Sequence, residues 1–443
     1  MSTIQFLMKE ELKYTYILFL LGLVGYVIKY GLNVFLARNL EVHLYGDFSV
    51  AIKFLNILIS LILFGTNVSS QRFLSNYLRT DATEVAKHYI AWNLKLIWIT
   101  SLLCIFIAFF SNSMILLLDY LGIHDYDDYH LAVFIFWIAP IAAFVKLISN
   151  YFLSAEQVYF SVAISSIFSY FIQFVIFAIA VLFLGTTLDN VSLTIGLFVS
   201  FLILAILSTL TLNENILFMM RGAIKQLKKI DVYHKEWLPK SASFISTAMI
   251  FLIISIIDLI IVEVFATSEK EVGHYAAALS ITGVLWLPNN LYQAVKPHMV
   301  SLLKTPEGSR LLQHKLDTTN IAVASIFIVL TSIIIYFSSS LLSHFGPSYD
   351  AAQNCVIILS VGICLSSLIN FSNILLLYKG YERFNFRLNI AELLALCLFV
   401  PPATIYFGIS GTAMATIIII IIRNGISTYL VRKYIHIRSF LFL

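Results

Sequence analysis

ARNLEVHLYGDFSVAIKFLNILISLILFGTNVSSQRF, residues 37–73, begins as a short polar turn and continues as a long apolar helix. That helix carries a polar stripe of Ser49, Lys53, Asn56, Ser60, Asn67 and Gln71. Apart from a skipped turn at Phe64, these recur every three or four residues and share one helical face. A lysine at bilayer depth costs roughly 2.5–3.5 kcal/mol on insertion scales, so Lys53 should face protein or water, not lipid. The stretch has an echo, EVGHYAAALSITGVLWLPNNLYQAVKPHM at 271–299, in which Gly273 lies 227 residues after Gly46. The echo has its own polar face, Thr282, Trp286, Asn289 or Asn290, and Gln293. Two copies of one striped helix, half a chain apart, predict two half-molecules facing each other across a polar interior.

Composition agrees. Of 443 residues, 60% are hydrophobic and only 12% charged, against about half and about a quarter in soluble globular proteins. The apolar runs reach the ~20 residues that a helix needs to cross a bilayer. Only helices or closed barrels satisfy the backbone there, and these runs are too long for barrel strands. The reading is an all-α integral membrane protein. Residues 1–13 form no signal peptide, since their apolar run continues from Tyr14 to Leu36 and spans fully. The cysteines at 104, 355, 364 and 397 lie in apolar spans without zinc spacing, and the ten histidines are scattered. No metal and no cofactor is expected. Nor is nucleic acid expected as a partner.

About twelve spans are predicted, near 14–36, 47–70, 89–110, 129–153, 160–184, 191–213, 241–263, 273–296, 319–343, 351–378, 384–406 and 410–431. With the N-terminus inside, twenty-one Lys and Arg fall on inside segments and only Arg38 and Lys270 outside. The positive-inside rule then makes both termini cytoplasmic. The repeat recurs at FFSNS (109–113) against YFSSS (336–340), and at Glu156 against Glu382. Six spans per half give the halves one orientation, related by a pseudo-two-fold along the membrane normal. The expected domains are residues 1–220, a basic cytoplasmic linker 221–240, and 241–443.

Seven charged residues fall within spans: Lys29, Lys53, Lys95, Lys146, Asp258, Glu392 and Arg423. Lys95 and Lys146 sit near cytoplasmic ends, where they can snorkel. The deep ones allow two readings. One is a structural ion pair, such as Lys53 with Asp258. The other is a water-filled cavity with a net positive lining that accepts an anionic substrate. The excess of bases over Asp258 and Glu392 leans toward the cavity. No nucleotide-binding loop is present. The outside loops near 111–128 and 264–272 are short and lack a catalytic constellation, so an enzyme is not expected.

ARNLEVHLYGDFS (37–49) resembles the turn between the first two helices of polysaccharide-export flippases, often AR-x-LG-x-x-x-YG-x-F, with Glu41 and Val42 standing where that group has Gly-Pro. VGHYAAA (272–278) resembles its VG-x-Y-x-x-A, and YFGISGTAMAT (406–416) its G-I-x-G-x-A-x-A-T. Together these resemble the multidrug/oligosaccharidyl-lipid/polysaccharide exporter superfamily, and within it the Wzx-type O-antigen flippases of the bacterial inner membrane. The resemblance implies two six-helix lobes in a V, MATE-like, with helices 1, 2, 7 and 8 lining a central cavity. It also implies an undecaprenyl-pyrophosphate-linked oligosaccharide as cargo, moved to the outer leaflet, with other polysaccharide-assembly proteins as partners. Lys29, Lys53 and Arg423 suit the pyrophosphate. Asn33, Asn56, Asn67, Thr282, Trp286, Asn289, Asn290 and Gln293 suit the glycan and the cavity wall. Asp258 and Glu392 would couple an ion or hold an ion pair. The competing expectation is a cation-coupled drug antiporter of the same superfamily, which would want buried carboxylates in place of bases.

Overall fold

The computed structural model describes residues 2–120, 130–183, 185, 187–226, 234–294, 306–369 and 371–439. The acidic stretch 121–128, the middle of the basic linker at 227–233, the end of the eighth span from 295 and the side chain of Gln293 lie outside the described residues. Among the described residues every regular element is helical. Eight helices among the described residues are long and apolar enough to cross a membrane. Two bent pairs, Leu131–Trp137 with Ala139–Ser154 at 61° and Ala248–Ile254 with Ile257–Phe265 at 44°, bring the number to ten. The 54-residue Glu382–Ile435 helix is interrupted at Gly408 (φ 58°, ψ −151°) and so contains two helices, matching the eleventh and twelfth spans. The predicted eighth span corresponds to Lys270–Thr282 followed by the 3-10 helix Gly283–Ala294, which holds Pro288. Proline removes an amide donor and crowds the preceding turn, and the α-helix gives way here. The chain is a multi-pass, all-α membrane protein.

By packing, the chain forms two compact units: Asn39–Ile256, and Met1–Arg38 together with Ile257–Leu443. The sequence repeat divides the chain in the linker instead. On the predicted division, each half thus gives its first helical segment to the unit built mainly from the other half.

In the unit Asn39–Ile256, the polar-striped helix is two helices, Val42–Leu63 and Thr66–Arg79. They part at Phe64 and Gly65, which both have positive φ (47° and 77°). A Cβ on Gly65 would lie 2.1 Å from the Ser241 carbonyl oxygen, so this turn needs glycine both for its φ and for its closeness to the neighbouring helix. The Thr66 hydroxyl donates to the Leu63 carbonyl (2.6 Å), satisfying an acceptor that the helix end leaves open. The His234–Ile254 helix is fastened to the same unit. Ser241 donates to Ser69 (2.9 Å), Trp237 Nε1 donates to the Tyr77 hydroxyl (3.1 Å), and the fully buried Trp237 packs edge-on to Tyr89.

In the other unit, the Ser2–Asn39 helix is held to Lys270–Thr282 by hydrogen bonds. The Tyr26 hydroxyl donates to the Ser280 and Ile281 carbonyls, the latter at 2.9 Å. These are carbonyls of the last α-helical turn, which the change to 3-10 geometry leaves short of amide donors. Asn33 Nδ2 adds a bond to Ser280 Oγ (2.8 Å), and Arg38 Nε one to the His344 carbonyl (2.6 Å). At the Gly408 interruption the two halves of Glu382–Ile435 close on each other. Thr404 and Thr412 share a 2.8 Å hydrogen bond, and a Cβ on Gly411 would stand 2.2 Å from the Ala403 carbonyl oxygen. The two glycines of the GISG sequence therefore serve a backbone corner.

Candidate substrate-binding cavity

The striped helix places Asn56, Ser60 and Asn67 on the wall of a cavity of about 460 Å³ inside the Asn39–Ile256 unit. Ala139–Ser154 supplies Lys146 and Ser149 to the wall, and residues 165–173 supply Ser165, Ser169, Tyr170 and Gln173. Phe201 and Phe251 are among its aromatic lining residues. No aspartate or glutamate lines it among the described residues.

Local structure explains how these side chains converge. Ser165, Ser169 and Gln173 recur every four residues and so share a helical face. They follow or lie within the π-helical turn Ala163–Phe168, a local widening of the kind often found at functional sites. Several wall groups are already anchored. Asn56 Nδ2 donates to the Ile52 carbonyl (2.9 Å), Ser165 Oγ to the Ser161 carbonyl (2.8 Å), and Ser149 Oγ shares a hydrogen bond with Ser161 Oγ (3.0 Å). Lys146 differs from them. It is exposed to the cavity, and its ammonium has no ion-pair or hydrogen-bond partner among the described residues. The sequence places Lys146 near the cytoplasmic end of its span, where it can snorkel; the structure adds that it lines the cavity. The missed signal was the Ser165–Ser169–Gln173 stripe, which marks a polar face on a neighbouring helix.

The other sequence-predicted residues are placed as follows. Lys53 is half-buried, with its ammonium 3.4 Å from the Ser255 carbonyl. Gln71 reaches Asn150 Oδ1 (3.3 Å). In the other unit, Lys29 is exposed on the first helix and Asn33 is bound to Ser280 as above. Thr282 is buried and donates to the Ala278 carbonyl of its own helix (2.8 Å). Trp286 is exposed, and Asn289 and Asn290 are half-buried on the 3-10 helix. Asp258 is buried, accepting from the Tyr275 hydroxyl and the Leu259 amide (2.8 Å each).

Arg423 and Glu392 are brought together. Arg423 Nε lies 3.3 Å from Glu392 Oε2, with both side chains 8% exposed. Nη1 donates to Asn424 Oδ1 (3.0 Å), and Nη2 to Asn385 Oδ1 (3.1 Å) and Asn389 Oδ1. A pyrophosphate at Arg423 would have to displace these partners.

With this geometry in place, known proteins fix the family. The family model described as "Polysaccharide biosynthesis protein" matches residues 12–295, well over half of the chain. The chain belongs to the polysaccharide biosynthesis protein family. Solved structures give this family member its fold. It is similar to a multidrug resistance MATE family transporter of the MOP superfamily in an inward-facing conformation (TM-score 0.67, 14% identity, 93% of this chain and 94% of that one). It is also similar to a MATE protein in a straight conformation (0.67, 12%, 97% and 96%). A third is a MOP superfamily transporter from Pyrococcus furiosus described as having a binding pocket of reverse polarity (0.60, 15%, 96% of each chain). No curated protein sequence matches this family member. Its fold is the MATE transporter fold.

Proposed function

We propose that this polysaccharide biosynthesis family member is a flippase. It moves an undecaprenyl-pyrophosphate-linked oligosaccharide, an O-antigen or capsule repeat unit, from the cytoplasmic to the periplasmic leaflet of the bacterial inner membrane. Both termini lie in the cytoplasm. The observation that carries the reading is the cavity of the Asn39–Ile256 unit, with its amides, hydroxyls, aromatic faces and one lysine, and no carboxylate among its lining residues. Sugars are bound by amide and hydroxyl hydrogen bonds and by aromatic faces, within a pocket that is already formed. A cation would meet an ammonium there with nothing to neutralise it. Lys29 and Lys53 are proposed to meet the pyrophosphate during transit, and Asn33, Asn56, Asn67, Trp286, Asn289, Asn290 and Gln293 the glycan. Exposure of the site to one leaflet at a time fits the alternating access of transporters built from repeats. Other polysaccharide-assembly proteins would take up the flipped product.

A second reading, the cation-coupled antiporter, has one specific observation in its favour: the buried carboxylate of Asp258, held by Tyr275. Cells lacking the protein separate the two. On the flippase reading they lose surface polysaccharide and accumulate lipid-linked repeat units on the cytoplasmic side, with drug tolerance unchanged. Lys53→Ala should reproduce this defect at normal protein level, and Lys53→Arg should relieve part of it. Normal surface polysaccharide together with drug sensitivity would favour the antiporter.

A further inference from the structure

We infer that Lys146 is the counter-ion for a carboxylate on the glycan, so that the cargo contains an acidic sugar seated in the cavity of the Asn39–Ile256 unit. The inference rests on the flippase reading and names the class of saccharide that this cavity takes.

Three observations lead there. First, Lys146 is the only charged residue on the cavity wall among the described residues, and no acceptor there meets its ammonium. An intramembrane lysine ordinarily pairs with a carboxylate or a carbonyl, or else faces water. Here it lines a cavity of about 460 Å³ whose wall offers no counter-charge among the described residues. Second, the rest of the polar wall is neutral: Asn56, Ser60, Asn67, Ser165, Ser169 and Gln173. Neutral donors and acceptors around a single cation suit a monoanion that carries many hydroxyls. A pyrophosphate is smaller and more highly charged, and it is usually clasped by several cations or by a guanidinium fork. Third, the aromatic residues Tyr170, Phe201 and Phe251 line the wall. These suit the apolar face of a pyranose and have no use for a phosphate. The volume of about 460 Å³ lies within the range of pockets that hold one small ligand, which points to one sugar residue of the repeat unit, not the whole of it.

The chemistry is non-covalent. The carboxylate of a uronic or ulosonic acid would accept from the Lys146 ammonium, and its ring hydroxyls would exchange hydrogen bonds with the amides and serines. A charge-assisted hydrogen bond to an ammonium is worth about tenfold or more in affinity.

The test uses the full-length protein in lipid nanodiscs, with methyl glucuronide, methyl glucoside and inorganic pyrophosphate as probes, and binding read by saturation-transfer NMR. The wild type should prefer the glucuronide over the glucoside by about tenfold or more. Lys146→Met should weaken glucuronide binding far more than glucoside binding and erase the preference. Lys146→Arg should keep most of it. Retained glucoside binding in Lys146→Met also reports that the variant is folded. Equal binding of the two glycosides by the wild type would overturn the inference, as would a preference that survives Lys146→Met. Loss of pyrophosphate binding in Lys146→Met, with the glucuronide unaffected, would overturn it in favour of the carrier headgroup. Translocation of a lipid-linked oligosaccharide by the wild type in proteoliposomes keeps the two claims apart. Movement without any dependence of glucuronide binding on Lys146 overturns this inference alone, and absence of movement overturns the flippase reading on which it rests.

Discussion

Arg423 is enclosed by Glu392, Asn385, Asn389 and Asn424. Removing one member of a buried ion pair leaves the other charge uncompensated, at a cost of about 3–5 kcal/mol, whereas replacing both with apolar groups is often neutral. Arg423→Met alone should therefore lower the thermal unfolding temperature in detergent sharply. The double variant Arg423→Met with Glu392→Leu should recover much of that loss and export polysaccharide. A double variant that is as stable as the wild type but exports nothing would make Arg423 a cargo contact instead. Charges at this scale were legible in the sequence as positions but not as partners. Arg423, Asn389 and Glu392 were each visible as polar residues in apolar spans, yet only the turn at Gly408 brings their helices side by side. Lys146 was likewise legible as a position near the end of a span but not as part of a cavity wall. Its sequence neighbours place it along a helix, while the groups facing it come from residues 52–67, 165–173 and 248–252.

At the scale of the element, the gap in the polar stripe at Phe64 marks the break between Val42–Leu63 and Thr66–Arg79, and Pro288 marks the passage into 3-10 geometry. The π-helical turn Ala163–Phe168 left no such mark, because nothing in AISSIF demands the wider ring. The start of Asn190–Leu210 is set by a reciprocal capping box. Asp189 Oδ1 accepts from the Ser192 amide (2.7 Å), and the Ser192 hydroxyl accepts from the Asp189 amide (2.8 Å). Partial burial pushes the Asp189 carboxyl up, but the hydrogen bonds from Ser192 outweigh it and hold the group below its ordinary range. A carboxylate depressed in the folded state stabilises fully above its unfolded pKa of about 3.9 and loses that contribution as pH falls through the lower folded value. Asp189→Ala should therefore cost about 0.5–2 kcal/mol at neutral pH, the usual range for a lost N-cap. The difference from wild type should shrink as pH falls below about 4. Thermal unfolding of the two proteins in detergent across that range checks it, and a pH-independent difference would remove the carboxylate from the cap.

At the scale of the whole molecule, hydropathy marks the apolar helices in order. Packing partners are a different matter. Hydropathy says that a helix is buried in lipid or protein but not against which neighbour, so it was silent on Met1–Arg38 joining Ile257–Leu443 and on 234–256 joining the first half. The consequence is testable. Fragments 1–226 and 234–443, expressed from separate genes, should co-purify in mild detergent, because each carries a helix that the other's unit needs. Trp237→Ala should weaken that association by removing the fully buried ring against Tyr89. Fragments that purify apart would contradict the exchange. The central claim, that a polysaccharide biosynthesis family member with the MATE fold flips a lipid-linked glycan, is tested most directly in proteoliposomes. Purified protein is reconstituted with a fluorescent undecaprenyl-pyrophosphate-linked oligosaccharide, and transfer between leaflets is followed by quenching from outside. Transfer should run well above that of protein-free vesicles, be reduced by Lys53→Ala and not be produced by a fluorescent drug cation in place of the glycan. Transfer of the drug cation with none of the lipid-linked glycan would contradict it.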